Sequence, residues 1–156
     1  IELSNVSAGI LIKELIGKDK QVQLKARGES MFPAIRDGDL ITIAPPNPLG
    51  QEKGDIVVCM DETSKRIFIH RIISKSKHTI TTKGDFCLKS DGVRPKSSIL
   101  GCVCHIKKNS NALIFFKNQT CKKMIAFLSR TNILTVTVKI INKIFTKNKI
   151  WHGHCI

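Results

Sequence analysis

The feature that most constrains this chain is a succession of short apolar stretches with a two-residue repeat, each cut off by a turn. Val22, Leu24 and Ala26 alternate with polar neighbours, and the stretch runs directly into Gly28-Glu29-Ser30-Met31-Phe32-Pro33. Asp37-Gly38-Asp39 turns the chain before residues 40–44, and Pro45-Pro46-Asn47-Pro48 cannot pair as a central strand and must be loop. Gly54-Asp55 opens the run 56–60, a Lys/Ser-rich turn leads into 66–73, and Gly84-Asp85 closes 79–83. Residues 99–106 and 112–116 have the same character. Successive side chains of a strand face opposite ways, so a period of two describes half-buried strands. Many short strands joined by Gly/Asp turns predict a mainly β, antiparallel, barrel-like domain.

The flanks read differently. Residues 4–17 predict a short helix: Ser4 or Ser7 can cap it, Ile10, Leu11, Leu15 and Ile16 form an apolar stripe, and Gly17 suits the stop. Beyond Lys117, Leu134, Val138, Ile141 and Phe145 share one helical face, with Lys139, Asn142, Lys143 and Lys147 largely on the other. The strand propensity of Thr135, Val136, Thr137 and Val138 competes with that helix. The organisation expected is an N-terminal helix over 1–20, a β domain over 21–108 and a basic extension over 109–156.

Charge follows the same division. Residues 1–91 hold 14 Lys/Arg and all 12 Asp/Glu, whereas residues 92–156 hold 12 Lys/Arg and no acidic residue. The formal net charge of +14 therefore belongs mostly to the tail, where an anionic partner should be sought. A solvated charged face is the commonest outcome for such a run, and an interfacial helix on an anionic membrane is the next reading. Nucleic acid is not an expected partner, because there is no helix-turn-helix pattern and no set of stacking aromatics. The apolar stretch 124–141 is interrupted by Arg130, Asn132 and Lys139, which argues against a spanning helix.

Six cysteines, at positions 59, 87, 102, 104, 121 and 155, fall partly inside apolar strands, where buried free thiols sit. With no charged-apolar-small N-terminal signal in view, the expected setting is reducing, in the cytoplasm or peripherally at the cytoplasmic membrane. Cys102-Val103-Cys104-His105 and His152-Gly153-His154-Cys155 contain metal-ligand types, but strand alternation puts the first two cysteines on one face and His105 on the other. No metal and no cofactor is expected, and no phosphate-cradling Gly-rich loop is present.

Two residues could carry chemistry. Ser30 sits at a strand end between a flexible glycine, Gly28, and a rigid proline, Pro33, a place that can hold a hydroxyl in a fixed direction with its own N–H available as an oxyanion donor. Read locally, a plain serine in a turn is the commoner outcome, because short motifs recur by chance. His70 lies in the apolar strand Ile67-Phe68-Ile69-His70-Arg71-Ile72-Ile73, where a polar pair is costly unless partnered. A satisfied core histidine is one reading, and a general base for Ser30 the other, since neutral imidazole can accept a hydroxyl proton near pH 7. Asp85 and Asp91 are the nearest carboxylates in sequence that could orient its second nitrogen.

The ordered set Gly28-Glu29-Ser30-Met31-Phe32-Pro33, Asp37-Gly38-Asp39, Lys53-Gly54-Asp55-Ile56-Val57-Val58, His70-Arg71 and Thr82-Lys83-Gly84-Asp85 resembles the successive boxes of type I signal peptidases. More distantly it is similar to the self-cleaving SOS repressors of the same serine-protease clan. The resemblance spans residues 21–106 and implies that family's catalytic β fold, with Ser30 at the nucleophile's place. Histidine followed by arginine at 70–71 resembles the Ser-His branch, in which an aspartate six residues beyond the Gly-Asp aspartate orients the base. Here that position is Asp91, with Asp85 as a structural or secondary partner and Gly28 and Met31 as secondary site residues. The family's two asparagines after Gly-Asp are replaced by Phe86-Cys87, and the short helix is expected in place of its N-terminal membrane anchor. Glycine at 28 offers only backbone where some relatives place a hydroxyl. The resemblance implies a serine endopeptidase acting on a precursor or leader peptide, with small residues preferred beside the cleaved bond. A self-cleaving or non-catalytic regulatory β domain is the alternative, and a lipid- or nucleic-acid-binding module a third.

Overall fold

In the computed structural model, the residues described are 5–61, 63–109, 126–128, 130–133, 135–137 and 139–140. Helix α1 (Asn5–Gly17) is followed by β1 (Val22–Lys25), β2 (Leu40–Ala44), β3 (Ile56–Met60), β4 (Ile67–Lys75) and β5 (Thr79–Lys83). A three-residue strand β6 (Val93–Pro95), a 3-10 turn (Lys96–Ser98) and β7 (Ile99–Lys107) complete the sheet. The expected strand at 112–116 lies outside the described residues, as do Cys121, Cys155 and the His152–His154 pair.

The seven strands form one sheet in the order β1-β2-β7-β3-β4-β5-β6, and every neighbouring pair is antiparallel. The mainly β, antiparallel architecture behind a short N-terminal helix therefore holds. The strands do not close into a barrel: β1 and β6 are the two edges of the described sheet. The three residues of β6 include Pro95, which lacks an N–H to extend the ladder, so pairing stops there. That strand has no apolar alternation and is not legible as a strand in the sequence.

The last strand is inserted in the middle. β7 pairs with β2 on one side and β3 on the other, and β2 and β3 are joined through it. Gly101 permits the close crossing, because a Cβ there would stand 2.6 Å from Ile43 Cγ2 and 2.8 Å from the carbonyl oxygen of Ala44.

Alternation places a core on each face. Val58, with Ile41, Ile43, Leu100, Met31, Ile35 and the helix residues Ile12 and Ile16, forms one cluster. Its neighbour Val57 joins Cys59, Ile72, Ile80 and Ile99 in the other. Each such side chain contributes about 1.5–3 kcal/mol when fully buried. Helix α1 buries Ile12 and Ile16, whereas Ile10 and Leu11 of the expected stripe are exposed. Gly9 sets this rotation: it lies one and two turns before them on the same face, and a Cβ there would stand 2.9 Å from Ile67 Cγ2.

Candidate active site

Ser30 begins a turn that follows β1. Gly28 enters that turn at φ +83°, a conformation that a side chain disfavours, and its N–H donates to Asp37 Oδ1 at 2.9 Å. Met31, next to Ser30, is 4% exposed and belongs to the core, and Ile35 N–H donates to its carbonyl at 2.9 Å. The turn is thus pinned by a buried side chain on one side of Ser30 and a carboxylate-bound glycine on the other. The half-buried Ser30 hydroxyl and its N–H make no hydrogen bond with another described residue.

His70 is carried by β4, opposite Val57 of β3, on the face of the second core cluster. Its Nδ1 is 2.7 Å from Asp91 Oδ2, with the two side chains only 11% and 19% exposed. The hydroxyl of Thr82 donates to the same carboxylate oxygen at 2.7 Å, and Asp91 N–H donates to the Thr82 carbonyl at 2.9 Å. Thr82 therefore grips Asp91 through both its side chain and its backbone. A carboxylate on Nδ1 keeps the proton there and leaves the Nε2 lone pair free to accept one.

Ser30 and His70 meet across Gly84. A Cβ at that position would stand 2.6 Å from the Ser30 carbonyl oxygen, 3.0 Å from His70 Nε2 and 2.7 Å from Cys87 Sγ. The Ser30 carbonyl and the imidazole thus border one space too small for a methyl group. The contact is fixed by a backbone bond, Phe86 N–H to the Ser30 carbonyl at 2.9 Å. The Phe86 ring packs edge-on against Phe32 at 5.9 Å between centroids.

Asp85 faces elsewhere. It takes two hydrogen bonds from Arg71, Nε to Oδ1 at 2.8 Å and Nη2 to Oδ2 at 2.6 Å, while Nη1 donates to the Gly54 carbonyl at 2.8 Å. Both side chains are shut off from solvent, at 2% and 0% exposure. Among the site residues named from the sequence, the structure brings Ser30, His70 and Asp91 to one place. It gives Asp85 to Arg71, Met31 to the core and Gly28 to the backbone of the turn.

Local sequence reasoning missed Thr82 and Lys83 as side chains with specific partners. Their signal was the alternation of β5, which aims Ile80 and Thr82 to one face, and the burial of Lys83 beside Gly84. Burial holds the Lys83 ammonium below its ordinary range, against the opposing pull of Cys87 and Asp85, and its Nζ donates to Asn132 Oδ1. The thiol of Cys59 is pushed up to about 12 by burial, as suits an inert core cysteine.

An open antiparallel sheet that brings a turn serine and a carboxylate-bound histidine beside one glycine has the parts of a peptidase domain. The chain belongs to the Peptidase S24-like family, whose model matches residues 5–89. Over 82 residues it is 32% identical to signal peptidase I of Bacillus amyloliquefaciens, covering 51% of this chain and 40% of that protein. Over 60 residues it is 37% identical to signal peptidase I T of Bacillus subtilis (strain 168), covering 37% of this chain and 31% of that one. The chain thus spans less than half the length of either relative. No solved structure matches it significantly. No helix among the described residues is long and apolar enough to cross a membrane.

Proposed function

We propose that the chain is a serine endopeptidase that removes a signal or leader segment from a precursor, with Ser30 as nucleophile, His70 as general base and Asp91 as the residue that orients it. The observation that carries this reading is the placement of the Ser30 turn and His70 Nε2 on two sides of Gly84, with Asp91 on Nδ1. The likeness to two proteins named signal peptidase I supports the substrate class.

The geometry allows the following course. Ser30 Oγ attacks the carbonyl carbon of the scissile bond as His70 Nε2 takes the hydroxyl proton, and Asp91 stabilises the imidazolium through Nδ1–H. The Ser30 N–H donates to the developing oxyanion. His70 then returns its proton to the leaving amine, and water, deprotonated by the same nitrogen, hydrolyses the acyl-enzyme ester. Hydrogen bonds of this kind commonly tighten only when substrate is bound, so the reading requires the Ser30–His70 bond in the complex with substrate.

The test is to incubate the full chain, Ser30→Ala and His70→Ala with synthetic precursor peptides that carry small residues before the cleavage point, and to follow products by mass spectrometry. Each substitution should lower kcat/KM on the order of 10³-fold or more. Cleavage that survives both would end the assignment. The family match keeps a self-cleaving regulator as the second reading. Purified protein running as two fragments, and as one in Ser30→Ala, would favour it.

The tail supplies the remaining part of the proposal. Twelve basic and no acidic residues follow position 92, and Phe127, Ile133, Val136 and Ile140 are exposed. That combination suits peripheral contact with an anionic membrane surface, and the setting proposed is the cytoplasm or the periphery of the cytoplasmic membrane.

A further inference from the structure

Three threonines of the C-terminal segment use their hydroxyls differently. Thr131 Oγ1 donates to the carbonyls of Phe127 at 3.2 Å and Leu128 at 3.1 Å, and Thr137 Oγ1 to that of Ile133. These are the local bonds that a helical threonine makes to its preceding turn. Thr135 does otherwise. Fully buried, it aims its hydroxyl at the carbonyl oxygens of Asp85, 3.0 Å away, and Cys87, 3.2 Å away.

Between those two carbonyls lies Phe86, whose N–H holds the carbonyl of Ser30. One hydroxyl proton is thus shared by the carbonyl of the very peptide group that carries the Phe86 N–H and by the carbonyl of Cys87, two residues on. The same segment grips its surroundings twice more. Asn132 accepts from Lys83, and the Lys139 ammonium lies 5.4 Å above the Phe86 ring.

We propose that Thr135 is a positioning residue for Ser30: by donating to the carbonyls of Asp85 and Cys87 it fixes the Phe86 peptide, and through Phe86 N–H the Ser30 carbonyl opposite His70. The basic C-terminal segment is then part of the frame of the site. This inference rests on the proposed peptidase activity for its kinetic consequence, and on the Phe86 hydrogen bond for its structural one. Thr135→Val keeps the shape of the side chain and removes the donor, which leaves two buried carbonyls without their partner.

The test compares the full chain with Thr135→Val, Thr135→Ser and Ser30→Ala. In Thr135→Val the Phe86 amide should exchange with solvent about tenfold faster, while the Val58 and Ile72 amides keep their protection. With a cleavable precursor peptide, kcat should fall about tenfold or more with KM within about twofold, and Thr135→Ser should restore both. If Thr135→Val unfolds, as the Val58 and Ile72 amides would report, Thr135→Ala read at lower temperature replaces it. A Phe86 amide exchanging at the wild-type rate overturns the proposal. Faster exchange with unchanged kcat also overturns it, since Thr135 would then be structural only. If the wild-type chain and Ser30→Ala behave alike toward every peptide, the peptidase reading has failed instead. Phe86 exchange alone then decides whether Thr135 holds Ser30.

Discussion

His70 and Arg71 are adjacent on β4, face opposite sides of the sheet, and each meets a carboxylate from the loop after β5. Arg71 and Asp85 are matched in geometry, two parallel bonds at 2.8 and 2.6 Å, and are sealed from water. His70 and Asp91 share one hydrogen bond, stay partly open to solvent, and leave His70 Nε2 uncommitted at the edge of Gly84. A guanidinium cannot be deprotonated in a protein, so the first pair can only hold the loop in place. An imidazole can gain and lose a proton, so the second pair can do chemistry. The same strand and loop thus supply an anchor and a proton carrier side by side, and the anchor fixes where the carrier stands.

Substitutions separate the two roles. The largest effect on turnover within this comparison is expected from Asp91→Asn, which keeps shape but disturbs the tautomer. Cleavage of a precursor peptide should fall on the order of 10³-fold, with the thermal midpoint within a few degrees of wild type. A comparable loss of stability would show that Asp91 is structural. Asp85→Asn should behave in the opposite way. Stranding the Arg71 charge in the interior should cost about 3–5 kcal/mol in chemical denaturation, a large share of a domain's stability, while the folded fraction keeps its affinity for peptide.

A third carboxylate, itself buried, sharpens the contrast at smaller scale. Asp39 is buried, which by itself pushes its carboxyl up, but the Arg36 N–H, the Lys108 ammonium and the Asn109 N–H together hold it below its usual range. A carboxyl lowered on folding stabilises the fold above its ordinary value of 3.8 and loses that contribution as pH falls through the folded-state value. Asp39→Asn should therefore cost about 1–3 kcal/mol at pH 7. Denaturant titrations repeated at falling pH should show the two proteins converging only below that ordinary value. A gap that stays constant down to the acid transition would assign the effect to packing.

The parts of the fold that could be read from sequence are those where one period dominates. β2, β3 and β5 begin and end where an apolar or alternating stretch does, because each faces a core on one or both sides. β6 was invisible because its three residues are defined by the Thr79–Thr81 partner strand and not by their own pattern. The face of α1 was misjudged because Gly9, silent in any apolar count, decides how the helix lies on β4. In the site, the local sequence leaves Asp85 and Asp91 both open to His70; the family resemblance points to Asp91, and the loop after β5 brings Asp91 to His70 and Asp85 to Arg71. Thr135 lies 48 and 50 residues from the carbonyls it binds, a separation that no local pattern encodes.

The central place of β7 bears on timing. Ser30 belongs to the β1–β2 side of the sheet, His70 and Asp91 to the β3–β6 side, and the strand that joins them is the last of the seven to leave the ribosome. Leu40 waits for Lys107 as its partner, so the ladder between the two halves closes over a long stretch of chain, which is slow and comes late. A nascent chain that ends before residue 99 already contains the serine, the histidine and the aspartate, but not the strand that sets one half against the other. Sheet pairing between the half that carries the serine and the half that carries the histidine and the aspartate is therefore withheld until that strand is made.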